Sequence, residues 1–139
     1  MNSASIFNNP IHLHVELTNL CNASCPSCPR YFRNSSLTHP GLKTNSWSLE
    51  DFKNRLPLEF LKNIPHINFC GNHGDPVACK ELLDILEYLH EIKMPVVEMH
   101  SNVGGKTEKT WDRIGQLFGM NSKWLMVFSV DGLEDTNHL

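Results

Sequence analysis

Three cysteines fall within eight residues of this chain, Cys21-Asn-Ala-Ser-Cys25-Pro-Ser-Cys28. Thiolates are soft ligands that suit zinc or iron–sulfur centres. Three of them on one loop can hold a single centre and leave one coordination position open, and open positions are where a metal does chemistry. Structural zinc usually closes its tetrahedron with two Cys-x-x-Cys pairs or with added histidine, whereas here there is one compact trio. Cys70, on a separate strand end, is the thiol available as a fourth ligand. Three readings follow from the residues. The first is an open cluster site, the second a cluster closed by Cys70 in an electron carrier or sensor, and the third a zinc-stabilised binding module. Pro26 and Pro29 fix backbone angles around the last two cysteines.

Other polar groups recur where strands are expected to end. Gly71-Asn-His-Gly74-Asp75-Pro76 reads as a strand-to-helix turn with Pro76 near the first helical position. Ser101-Asn102 and Ser129-Val-Asp131-Gly132, the latter residues around the end of the last strand, read as turn formers. His12 and His14 share one strand face, as do Glu98 and His100. Cys70 and Cys79 read as small buried side chains, with Cys79 opening a helix. Arg30, just past the cysteines, either contacts a carboxylate or reductant or stands exposed.

The elements that must position these groups come from hydrophobic period. Alternation places strands at about 11–17, 66–70, 96–101 and 124–130. Helical spacing joins Leu49, Phe52, Leu56, Phe60, Leu61 and Ile64, opened by a capping-box-like Ser48 and Asp51 and kinked or split at Pro57. It also joins Leu82, Ile85, Leu86, Leu89 and Ile92, and then Trp111, Ile114, Leu117 and Phe118. Strands alternating with helices imply a parallel α/β sheet with right-handed crossovers. Each strand has one apolar face and one carrying residues such as His66, Asn68 and Cys70. A doubly covered parallel sheet would be apolar on both faces, so the pattern suggests a sheet curved around a wet cavity. An open sheet with one solvated face is the alternative.

The 139 residues suffice for one core, and 40% hydrophobic with 19% charged content fits a soluble globular protein. A net charge of −3 without basic clusters argues against general nucleic-acid binding. No apolar run reaches membrane-spanning length, and no signal peptide is read at the start. Five cysteines, three of them crowded together, fit metal ligation in a reducing cytosol better than a disulfide framework. A cytoplasmic location is therefore expected.

The cysteine spacing and its place after the first strand resemble the signature of the radical S-adenosylmethionine (radical SAM) enzymes. The resemblance implies that Cys21, Cys25 and Cys28 hold a [4Fe–4S] cluster whose fourth iron binds S-adenosylmethionine. Reductive cleavage of that cofactor gives a 5′-deoxyadenosyl radical that abstracts a substrate hydrogen. It also implies cofactor contacts from Gly74, Asp75 and Pro76, from Asn102, and from Ser129 and Asp131, with Asp75 standing where glutamate is common. Ser27 departs from the family, in which an aromatic residue often precedes the third cysteine. Adenine stacking then falls to Tyr31 or Phe32 or is weaker. The family's core is a (β/α)6 partial TIM-type barrel, of which this chain supplies about four units. The expectation is a 1–10 extension followed by an incomplete core over 11–139, the N-terminal part of a longer enzyme. An electron donor such as flavodoxin or ferredoxin is implied, and the substrate, peptide or small molecule, stays unassigned, as do catalytic residues.

Overall fold

Four short strands, β1 (His12–Val15), β2 (His66–Phe69), β3 (Val96–Ser101) and β4 (Leu125–Phe128), pair in parallel in the order of the chain. The computed structural model describes residues 12–25, 27–32 and 37–130. The expected 1–10 extension, Ile11, Pro26 and Asp131 lie outside the described residues.

Sequential order has a geometric consequence. Right-handed crossovers that always step in one direction put every connecting helix on the same face. A doubly wound sheet reverses direction and covers both faces; a barrel does not reverse. Here Val15, Ile67, Phe69, Val97 and Met99 are buried on one face against Phe52, Ile85, Leu89, Ile114 and Leu117 from the helices. Phe52 sits at the centre of that layer, edge-on to Phe69 and to Tyr88 with centroids 6.3 Å apart in each pair. The opposite face carries His12, His14, His66, Asn68, Glu98 and His100, none of them fully buried. The structure is thus a partial parallel (β/α) core of barrel type, as the alternating polar face suggests.

The helices follow their local signals closely. Ser48 caps α1 (Leu49–Arg55): its hydroxyl accepts from the Asp51 N–H at 3.0 Å, and its own N–H donates to the Asp51 carboxylate at 3.0 Å. That Ser48 N–H bond, joined by the Ser48 hydroxyl donating to the same carboxylate at 2.9 Å, holds the Asp51 carboxyl below the ordinary carboxylate range. Proline cannot continue a helix as a donor, and Pro57 splits the segment, capping a separate turn α2 (Leu58–Leu61). Two expectations need correction. Pro76 opens a 3₁₀ turn, Pro76–Ala78, rather than the helix itself, and α3 begins later, at Leu82, and runs to Glu91. Cys79 therefore precedes that helix. It is fully buried, its thiol donates to the Trp47 carbonyl at 3.3 Å, and burial pushes it above the ordinary thiol range. Helix α4 (Glu108–Met120) starts where the Thr107 hydroxyl accepts from the Thr110 N–H. Within the described residues β1, β2 and β4 are shorter than the expected runs 11–17, 66–70 and 124–130.

Candidate functional site

The loops leaving the C-terminal ends of β1, β2 and β3 are packed against one another, and the contacts are specific. Leu20 accepts from the Asp75 N–H at 2.8 Å, tying the first loop to the second. Gly74 lies so close to the first that an added Cβ would stand 2.0 Å from the Thr18 carbonyl oxygen. Gly104, in the third loop, leaves the room that the Asn22 side chain fills. Replacing Gly74 with alanine is expected to cost about 1–3 kcal/mol, since backbone must move to admit the methyl group. Gly115→Ala, on α4 with nothing within 4 Å of the added carbon, is expected to stabilise by about 0.5–1 kcal/mol. Urea unfolding of the two variants checks both signs.

Asp75 organises the junction. Only 6% exposed, it accepts from the Val77 N–H and the Ser101 hydroxyl on one oxygen, each at 2.9 Å, and from the Asn102 N–H on the other at 2.7 Å. A carboxylate has about four lone-pair sites, so one is left beyond these three bonds. Asn102, held by its backbone, turns its side chain to the first loop: Nδ2 donates to Cys21 Sγ at 3.4 Å, while Oδ1 accepts from the Gly104 N–H. Just beyond, Val103 adopts a φ of +69°. A β-branched residue in the left-handed region costs about 1–2 kcal/mol. Its N–H bond to the Ser101 hydroxyl at 2.9 Å helps hold it there.

The cysteine loop has its own clamps. Tyr31 donates its hydroxyl hydrogen to the Ala23 carbonyl at 2.6 Å and lies 3.2 Å from the Ser24 hydroxyl. Arg30 is 9% exposed rather than solvent-facing, and its guanidinium donates to the carbonyls of Asn19 and His73, the latter at 3.1 Å. It fastens the first loop to the second, a long-range role that no periodic signal in the sequence carries. Cys21 is half-buried and its sulfur accepts from the Ala23 N–H at 3.4 Å as well as from Asn102. Burial raises its thiol above the ordinary range; the Ala23 bond and nearby Arg30 act against that rise, and Asp75 and Cys25 add to it. Cys25 is exposed and Cys28 half-buried, with the Cys28 N–H donating to the Cys25 carbonyl.

Among the described residues, no group of three or more His, Cys, Asp or Glu stands together as ligands of one metal ion. The thiolates of a cubane cluster bind separate irons, so they need not converge as closely as ligands of a single ion. The donor set fits such a group: three free thiols on one loop, with two N–H donors already aimed at the Cys21 sulfur. Cys70 is half-buried on the helix-free face, where His14 Nε2 bonds its carbonyl. Burial and the carboxylates of Glu16, Asp75 and Glu98 raise its thiol. Pro76 is buried within the 3₁₀ turn, and Ser129 is exposed with its N–H bonded to the Ser101 carbonyl. The structure thus brings Cys21, Gly74, Asp75 and Asn102 into one junction, places Ser129 beside its Ser101 edge, and leaves Asp131 outside the described residues.

No family model matches the chain, and neither does any curated protein. A solved structure of BtrN in complex with AdoMet and 2-DOIA matches with a TM-score of 0.64 at 21% identity, over 91% of this chain and 48% of that one. The chain spans about half the length of that structure. Likeness at this identity shows the fold, the partial parallel (β/α) core described above.

Proposed function

We propose that this chain is the N-terminal part of a radical SAM core, with Cys21, Cys25 and Cys28 as the ligands of a [4Fe–4S] cluster. The observation that carries the reading is the junction itself: Asn102 on the β3 end reaches the Cys21 sulfur while Asp75 holds Asn102 in place. A loop of three thiols tied to a glycine turn and an Asn-bearing strand end is the order of parts the motif resemblance calls for. That BtrN, of the same fold, was solved with AdoMet supports the reading. When bound, the cluster supplies an electron and an open iron for reductive cleavage of S-adenosylmethionine.

The chain's own groups have distinct tasks in this proposal. Asn102 and the Ala23 N–H donate to the Cys21 sulfur and favour its thiolate over the thiol that burial prefers. Gly74 permits the close approach of two loops. Asp75 positions Asn102 and offers its remaining lone pair to a cationic donor such as an α-ammonium group. Asn102, Ser129 and Asp131 are the polar groups for the rest of the cofactor, and Pro76 fixes the turn. The test is anaerobic reconstitution with iron and sulfide. About four irons and four sulfides per chain, with an absorption band that changes when S-adenosylmethionine is added, are expected. Zinc without acid-labile sulfide would sink the reading. A cluster insensitive to S-adenosylmethionine would favour an electron carrier.

A further inference from the structure

The helix-free face carries a second constellation, apart from the strand-end junction. Glu98 lies at its centre, 22% exposed, with one carboxylate oxygen 2.5 Å from His100 Nε2 and the other 3.2 Å from His66 Nε2. The His66 nitrogen is out of line for a hydrogen bond and, although buried, has no hydrogen-bond partner. His12 stacks at a tilt on His66, centroids 4.5 Å apart. Asn68 stands beside Glu98 in register on the neighbouring strand, and its side-chain oxygen is buried without a donor.

The charge and hydrogen-bonding balance of this face is one-sided. Glu16 and Glu98 are its formal charges among the described strand and strand-end residues, and no lysine or arginine stands on it there. His100 bonds the carboxylate by Nε2, and His14 bonds the Cys70 carbonyl by Nε2, so each ring leaves Nδ1 as an acceptor when neutral. Glu16 accepts from the Asn72 amide, whereas the Asn68 oxygen beside Glu98 has no donor, and a carboxylate with no lysine or arginine near it among the described residues suits a primary ammonium group with three N–H donors.

We propose that the Glu98, His100, His66 and Asn68 cluster binds the ammonium group of an amine-bearing small molecule. Taken as the substrate class of the enzyme proposed above, this rests on that proposal; the binding itself does not. An anionic substrate would meet like charge and, among the described residues, no lysine or arginine on this face.

The test uses the full chain without iron or S-adenosylmethionine, so its failure leaves the cluster proposal standing and the reverse also holds. Histidine side-chain resonances are followed by NMR while 1,4-diaminobutane, butane-1,4-diol or succinate is added at millimolar concentration. The diamine is expected to shift the His66 and His100 signals saturably, and the diol and succinate are not. Glu98→Gln keeps the shape and removes the charge, and should weaken diamine binding about tenfold or more, ~1.4 kcal/mol. Equal shifts by succinate or by the diol would overturn the assignment without any variant. So would an unchanged diamine affinity in a folded Glu98→Gln protein.

Discussion

Serine at Cys21, Cys25 or Cys28, one at a time, is expected to strip the reconstituted chain of its cluster. Iron should fall from about four per chain to well under one, while Cys70→Ser and Cys79→Ser keep the full content. The contrast comes from placement. Cys21, Cys25 and Cys28 share one loop, Cys79 is sealed in the helix-side core, and Cys70 points its strand position to the opposite, helix-free face. Serine oxygen is a hard, weakly acidic ligand and a poor substitute for thiolate on iron. Iron and sulfide analysis on the five variants decides the matter. Equal loss with Cys70→Ser would mean a fourth protein ligand and an electron-transfer or sensing role.

The second large effect is expected at Asp75. Alanine there leaves the Val77 N–H, the Ser101 hydroxyl and the Asn102 N–H without their acceptor in a nearly closed site. An unmet buried polar group costs about 1–3 kcal/mol, and water entering the space recovers part of it. A net loss of about 3–5 kcal/mol is expected, a large share of the roughly 5–15 kcal/mol that holds an ordinary domain. Asp75→Asn should lose about half as much: its oxygen still serves Val77 and Ser101, but its amide faces the Asn102 N–H donor to donor. Urea midpoints by circular dichroism measure both. If Asp75→Ala unfolds at the wild-type midpoint, Asp75 is not the clasp described above. The same substitution should free Asn102, so a wild-type rate of Cys21 alkylation in Asp75→Ala would also count against its positioning role.

Much of the fold was legible because it depends on period and punctuation. Alternation located four strands, and their one-faced polarity already distinguished a barrel-type sheet from a doubly covered one. Ser48, Asp51 and Pro57 announced where a helix starts and where it must break. The later start of α3 was not legible, since Pro76 and its Asp75 cap suit a 3₁₀ turn and an α-helix alike; the turn stops at Cys79, whose backbone is extended at φ −66° and ψ 128°. The sequence marked the candidate residues Cys21, Gly74, Asp75 and Asn102, which the structure brings to one junction. The internal wiring of that junction was not legible. Arg30 reaching the carbonyls of Asn19 and His73, and Asp75 reaching the Asn102 N–H, join residues apart in sequence through backbone atoms that every residue has. Side-chain chemistry alone therefore gives no mark of them. The Asp75 carboxylate, expected from the resemblance as a cofactor contact, is seen as a brace between loops.

The segment that carries the cysteines leaves β1 and comes back to it. Thr18 and Ser46 form an antiparallel bridge, Asn19 and Asn45 exchange bonds at 3.1 and 2.8 Å, and the Trp47 N–H returns to the Leu17 carbonyl at 2.8 Å. The neck of this excursion is therefore stitched by peptide groups. In small zinc domains the ion itself closes the chain, so that chelation is denaturation. Here the closure is independent of anything the thiols hold. If the thiols carry a cluster as proposed, its removal is expected to leave this neck closed, because the bonds across it join Leu17–Asn19 to Asn45–Trp47 and involve no sulfur.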